Sequence, residues 1–207
     1  MVTYNNVPNL HGLTRFRAVI DAYGGLAKVA RFAVRINPSN TFLLNKHGIM
    51  RDLTFLCETA ELPGKAFNVN EYRYGGPNLK YPSQTQYTDL SLSFIVRNRM
   101  LEKHFFDDWM MAINPTDTYN FNYKNSYATT IDIFALADFV DPLTGAPMAN
   151  YGVTLDKAFP ISMSPLQLVS GDDSFHRLQI QFAYNTWKKP DDPVPVATGI
   201  VSNKNIQ

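Results

Sequence analysis

The sequence predicts a mainly β fold: an antiparallel β-sandwich or barrel with one α-helix packed on it, preceded by a short N-terminal helix. Three observations carry this. Several segments alternate apolar and polar residues with a period of two, the signature of half-buried strands. One segment, 101–113, switches to helical spacing. Phe and Tyr number 14 and 11 among 207 residues while charged residues make up only 18%, a balance that suits strands burying much of their outside against partners.

The elements follow in order. Residues 1–12 read as a flexible arm. Leu13, Phe16, Ile20 and Tyr23 then recur at helical spacing, and Gly24-Gly25 stops that helix, because glycine tolerates the left-handed backbone past a helix end. In 30–36, Ala30, Phe32, Val34 and Ile36 share one face and Arg31 and Arg35 the other, which marks a strand. Residues 37–40 are a turn, and Leu53 to Thr59 reads as a second strand. The Tyr-, Gly- and Pro-bearing stretch 61–87 is too long for a plain loop, so it is functional or holds its own hairpin, with Ala66 to Tyr74 as one arm.

Thr88 to Arg97 is the clearest strand, with Leu90, Leu92, Phe94 and Val96 on one face. The helix at 101–113 places Leu101, Phe105, Phe106, Trp109, Met110 and Ile113 on one side, with Glu102, Lys103, Asp107 and Asp108 largely opposite. Leu101, Phe105, Trp109 and Ile113 are its candidate core residues, and Asn114-Pro115 ends it. Further strands are expected at Tyr119 to Tyr123, Thr129 to Ala137, Ala158 to Val169 and Arg177 to Tyr184. Pro160 and Pro165 make the third of these an edge or bent strand. The organisation is then an arm and helix at 1–26, a β domain at 27–188 and a C-terminal arm at 189–207.

The chemistry-bearing residues form no catalytic constellation. The formal net charge of +1 lacks the basic excess of a nucleic-acid binder. The lone cysteine, Cys57, lies in an apolar run and reads as a small buried hydrophobe of a protein made in a reducing cytoplasm. His11, His47, His104 and His176 fall in no metal-binding spacing, and His104 with Asp108 reads as a surface ion pair on one helix face. The neighbouring carboxylates at 107–108, 172–173 and 191–192 do not face each other across a bond as acid–base pairs must. Gly75-Gly76-Pro77 is a turn and not a phosphate cradle, since proline removes an amide donor. The N-terminus has no secretory leader and no run is long and apolar enough for a membrane span, so no cofactor, metal or membrane partner is expected.

Three segments together resemble the tail-tube family of contractile-tailed bacteriophages. The first is Glu58-Thr59-Ala60-Glu61-Leu62-Pro63-Gly64-Lys65, running into a stretch that ends in Tyr81-Pro82. The second is Tyr87 to Val96, followed by Phe105-Phe106-Asp107-Asp108-Trp109-Met110 and Ile113-Asn114-Pro115. The third is Ala158 to Leu166, followed by Phe182-Ala183-Tyr184-Asn185-Thr186-Trp187. The resemblance covers 27–188 and implies a virion protein assembled in the host cytoplasm. It implies a homo-hexameric ring stacked with neighbouring tube or baseplate hub rings, a sheath outside, and a tape measure or DNA in the lumen without sequence-specific binding. Tube subunits of bacterial type VI secretion share the fold and stand as an alternative role. The entry segment Gly24-Gly25-Leu26-Ala27 to Arg31-Phe32 resembles the tube-initiating proteins at the baseplate end of such tails, so both a repeated tube subunit and a tube initiator are expected roles.

On this reading the stretch 61–87 makes the inter-subunit or inter-ring contacts. Its candidate residues are Glu61, Pro63, Gly64 and Tyr72 on the way out, then Tyr74, Gly75, Tyr81 and Pro82 at the turn and on the return. A different class, a monomeric β-sandwich that binds carbohydrate or peptide, would use the same tyrosines as a ligand platform.

Overall fold

A computed structural model describes residues 12–22, 25–37, 43, 47–73, 75–140, 147–171 and 173–189. The expected terminal arms, the stop at Gly24, most of the turn at 37–40, His11 and Tyr74 lie outside the described residues. In chain order the helices are α1 (Gly12–Ala22), α2 (His47–Leu56), α3 (Leu101–Ile113) and α4 (Lys124–Tyr127). The strands are β1 (Phe32–Ile36), β2 (Cys57–Ala60), β3 (Lys65–Tyr72), β4 (Leu79–Tyr87), β5 (Leu90–Ile95), β6 (Thr129–Val140), β7 (Pro147–Met163), β8 (Arg177–Ala183) and β9 (Thr186–Lys188).

The period-two patterns translate into strands with one buried face. On β5, Leu90, Leu92 and Phe94 are buried, and on β8 Leu178, Ile180 and Phe182 face them in antiparallel register. On β6 and β1, Ile131, Ile133, Val34 and Ile36 do the same. All these side chains share one core, so the fold is an antiparallel sandwich with two inner faces. The main sheet runs β1-β6-β7-β8-β5-β2, with β9 on β7, and it does not close into a barrel.

One strand joins the two halves. β7 pairs with β6 up to Ala158 and with β8 from Phe159 onward. The change of partner needs a bend, and two irregularities supply it: Lys157 has φ 52°, and the register slips between Pro160 and Ser162. Proline has no N–H to give to a ladder, so Pro160 belongs at such a slip. The expected bend is therefore present, but the strand ends at Met163, and 164–169 are not strand.

α3 closes the core. Phe105, Phe106 and Trp109 have no exposed surface; the Phe106 and Trp109 rings meet Phe94 and Phe182 of the sheet at 5.3–6.2 Å between centroids, and Phe105 packs edge-on against both Phe106 and Trp109. Trp109 donates its indole N–H to the Tyr127 carbonyl at 2.9 Å, so its polar atom is satisfied inside the core. Ile113 is buried and Leu101 half-buried.

Three sequence expectations are corrected. Leu53 to Leu56 is the end of helix α2, and only from Cys57 does the chain become strand. The reason is that Met50 and Leu53 are buried three residues apart while Phe55 is 74% exposed, which is helical and not strand spacing. Tyr119 to Tyr123 forms no strand: Tyr119 sits at φ 53°, and the segment folds back along the end of α3, where Asn122 donates to the carbonyls of Ile113 and Ala112. Glu102 does not face solvent but is fully buried. Its carboxylate accepts from Arg97 Nε at 2.5 Å and from the Arg97 backbone N–H at 3.1 Å, while Arg97 Nη1 donates to Asp52 of α2 at 2.8 Å. These bonds hold the Arg97 proton even more firmly than usual, Glu102 first and Asp52 second. A second buried carboxylate, Asp132, accepts from Arg35, Asn37 and Thr154 at 2.7–3.1 Å and ties β1, β6 and β7 together.

Candidate functional site, an assembly interface

The stretch 61–87 contains its own hairpin, β3–β4, set between β2 and β5. It forms a separate two-stranded sheet, and nearly every residue in it is exposed. Its base is fastened to the sandwich. The Gly64 N–H donates to Thr88 Oγ1 at 3.3 Å, and Tyr184 donates its hydroxyl to the Thr88 carbonyl at 2.7 Å. A Cβ on Gly64 would itself stand 3.3 Å from Thr88 Oγ1, so the close approach favours glycine. Glu61 is exposed and Pro63 half-buried at this base. Gly75 takes φ 66° in the hairpin loop, a conformation that glycine adopts without penalty.

Register fixes which side chains share a face. Tyr72 lies opposite Leu79 and Asn70 opposite Tyr81, so Tyr72, Leu79 and Tyr81 project together. Phe67 and Val69 project from the other face, with Pro82 opposite Val69 at a register slip. Tyr72 is 52% and Tyr81 47% exposed, and Phe67, Val69 and Leu79 are similarly open. A lone two-stranded hairpin is marginal in water. This one leaves apolar groups open on both faces. The structure thus brings Tyr72 and Tyr81 together on one face and Pro82 to the other, with Glu61, Pro63 and Gly64 at the base.

Other exposed apolar groups were not legible as surface. Tyr119, Phe121 and Tyr123 stand out from the segment after α3, and Leu168, Val169 and Phe175 from the loop before β8. The Arg177 guanidinium lies 4.4 Å from the Phe175 ring and its Nε donates to Glu58 at 2.6 Å. The only signal for the first group was the aromatic alternation that had read as a strand. No acid–base or metal cluster emerges among the described residues. Lys103 bonds Asp107 at 2.5 Å, one turn apart on α3. Cys57 is half-buried, and loss of water around the thiol pushes its pKa up to about 12, the opposite of a nucleophile's need. None of the described helices is long and apolar enough to cross a membrane.

Comparison with known proteins agrees with this architecture. The family model for phage tail tube protein matches residues 27–189. The fold is similar to a chain of the sheath–tube complex of the PVC extracellular contractile injection system in its extended state, with a TM-score of 0.57 and 16% identity over 88% of this chain and 99% of that one. It is also similar to a chain of the anti-feeding prophage baseplate, with a TM-score of 0.55 and 15% identity over 81% of this chain and 97% of that one. A chain from the PVC sheath/tube terminator gives a TM-score of 0.52 and 17% identity over 79% and 95%. No curated protein sequence matches. The chain belongs to the phage tail tube protein family, and with that it is a structural protein of a tail tube and not an enzyme.

Proposed function

We propose that this chain forms a closed homo-hexameric ring of a contractile tail, around the channel through which DNA is ejected. The observation that carries the reading is the hairpin β3–β4, fastened at its base and apolar on both faces. Two further features support it. Among the described residues the open sheet ends in β1 and β2, edges at which a neighbour's strand would find backbone groups to pair with. The chain also presents different surfaces on its different sides, so head-to-tail contacts close into a ring and rings stack into a tube.

In this reading, 27–188 is the ring-forming domain and 1–26 and 189–207 are arms added to it. Glu61, Pro63, Gly64, Tyr72, Gly75, Tyr81 and Pro82 belong to the contact between copies or between rings, and Tyr74 is placed there by sequence alone. The partners are further copies of this chain, neighbouring tube or baseplate hub rings, a sheath outside, and a tape measure or DNA that passes without sequence-specific contact. The subunit either stacks repeatedly as the tube or forms the single ring that starts it, in a virion assembled in the host cytoplasm.

Negative-stain electron microscopy of the purified protein over a concentration series tests this. Long tubes identify the stacked subunit, and sixfold rings that never lengthen identify the initiator. Compact monomers that also fail to add to a pre-formed initiator ring overturn the proposal.

A further inference from the structure

The proposal above leaves several exposed apolar features without a role, among them helix α1 and the segment after α3. Helix α1 lies outside the region matched by the family model, which begins at residue 27. Phe16, Val19 and Ile20 fall on one helical face at positions i, i+3 and i+4, and at 100° per residue Arg15 and Arg17 border that face on its two sides. Phe16 is 64% and Val19 54% exposed, and α1 packs broadly on none of the described elements.

The second feature is an aromatic strip. Tyr119 and Phe121 are each 75% exposed and Tyr123 91%, and Met111 of α3 is open close by. Asn122 fixes the strip against the end of α3 by donating to the Ile113 and Ala112 carbonyls at 3.0 and 2.9 Å. The strip therefore lies at the helix C-terminus, the negative end of its dipole. The last turn of α3 carries no basic residue, and the exposed Asp117 precedes the strip. So the site is apolar and rich in ring faces, with Asp117 and the helix end as its negative side, while the nearest cation in sequence, Lys124, is already held by Asn185 Oδ1 at 2.5 Å and lies over the Phe159 ring. Three exposed aromatics within the five residues 119–123 mark an interaction surface.

We infer that the strip Tyr119–Phe121–Tyr123 receives helix α1 of a second copy of this chain. Apolar face meets apolar strip, and the bordering arginines meet Asp117, the helix end and the ring faces, where guanidinium groups stack well. Charge complementarity selects this occupant, since the helix carries its cations along the edge of the very face that needs covering. Within one chain both surfaces remain open. One donor helix and one acceptor strip per copy make a head-to-tail contact, the kind that closes into a ring. The inference rests on the proposed ring and adds a latch to it.

Cross-linking between copies tests it. Full-length Val19→Cys protein is mixed with full-length Phe121→Cys protein, assembled, and treated with a short bis-maleimide. Cys57 stays nearly silent because its thiol is held protonated. The expected product is a covalent dimer containing one chain of each kind, absent when either variant is assembled alone. Arg15→Glu with Arg17→Glu should remove most of that product, and Asp117→Arg in the partner should restore part of it. All five positions lie on the surface, so unchanged melting curves confirm folding. Rings or tubes that form by electron microscopy yet yield no mixed dimer overturn the latch and leave the ring standing. Protein that never assembles, alone or on a pre-formed ring, overturns both.

Discussion

Trp109, Phe105 and Phe106 on α3 have no exposed surface, whereas Tyr72 and Tyr81 on the hairpin are about half open. Both regions are rich in aromatics. They differ in what surrounds the rings. α3 lies across a sheet whose inner face is already apolar, so its rings find Phe94 and Phe182 within the chain. Among the described residues β3 and β4 pair with each other and leave the sandwich at Gly64, so only Tyr87 at the base meets a ring of the sandwich, Tyr184, while Tyr72 and Tyr81 farther out stay about half open. Aromatic content thus says that burial is needed, and topology decides whether the chain or a neighbour provides it.

Mutations separate the two cases. The largest effect belongs to the core. Trp109→Ala removes a fully buried ring and leaves the Tyr127 carbonyl without its donor, and it should cost about 3–5 kcal/mol in urea unfolding. A loss below about 1 kcal/mol would show that the helix is not the closing layer of the core. Next comes the polar joint beside it. Glu102→Ala strands Arg97 near the core and should cost about 2–3 kcal/mol, under the ~3–5 of a fully buried pair because Arg97 is partly wet.

The hairpin should behave in the opposite way. Tyr72→Ser with Tyr81→Ser should leave monomer stability within about 0.5 kcal/mol, as surface changes do, yet reduce assembly seen by sedimentation. Equal loss of stability and assembly would break the contrast between the regions. The smallest effect concerns Cys57 at the start of β2. Its folded pKa of about 12 lies above the ordinary value of 9.0, so the native state keeps this proton longer than the unfolded chain. The stability this adds is complete below pH 9 and fades as the pH rises toward 12. Cys57→Ala should make stability fall less steeply across that alkaline window.

Much of the fold was legible because alternation and helical spacing are local. Leu90, Leu92 and Phe94 could only be one face of a strand, and Phe105, Trp109 and Ile113 one face of a helix. The hairpin was legible as a long stretch that needed structure, and the register then gave it two apolar faces. Two outcomes were not legible, for physical reasons. Leu53 to Leu56 is a short apolar run that suits strand or helix equally, and packing of Met50 and Leu53 against the core settled it as helix. Glu102 read as solvent-facing from charge alone, but Arg97 and Asp52 meet it from other elements.

The sequence by itself determined a β-rich fold with one closing helix, because periodicity and residue type are properties of neighbouring positions, and its motifs carried the resemblance to tail-tube proteins. Only the tertiary structure decided where β7 changes partners, that Glu102 is inside, and that Tyr119 to Tyr123 remain open. Each depends on residues far apart in the chain arriving at one place, and the physics that selects among such arrivals (burial of rings, pairing of buried charge, satisfaction of backbone groups) acts on the assembled fold and not on the string.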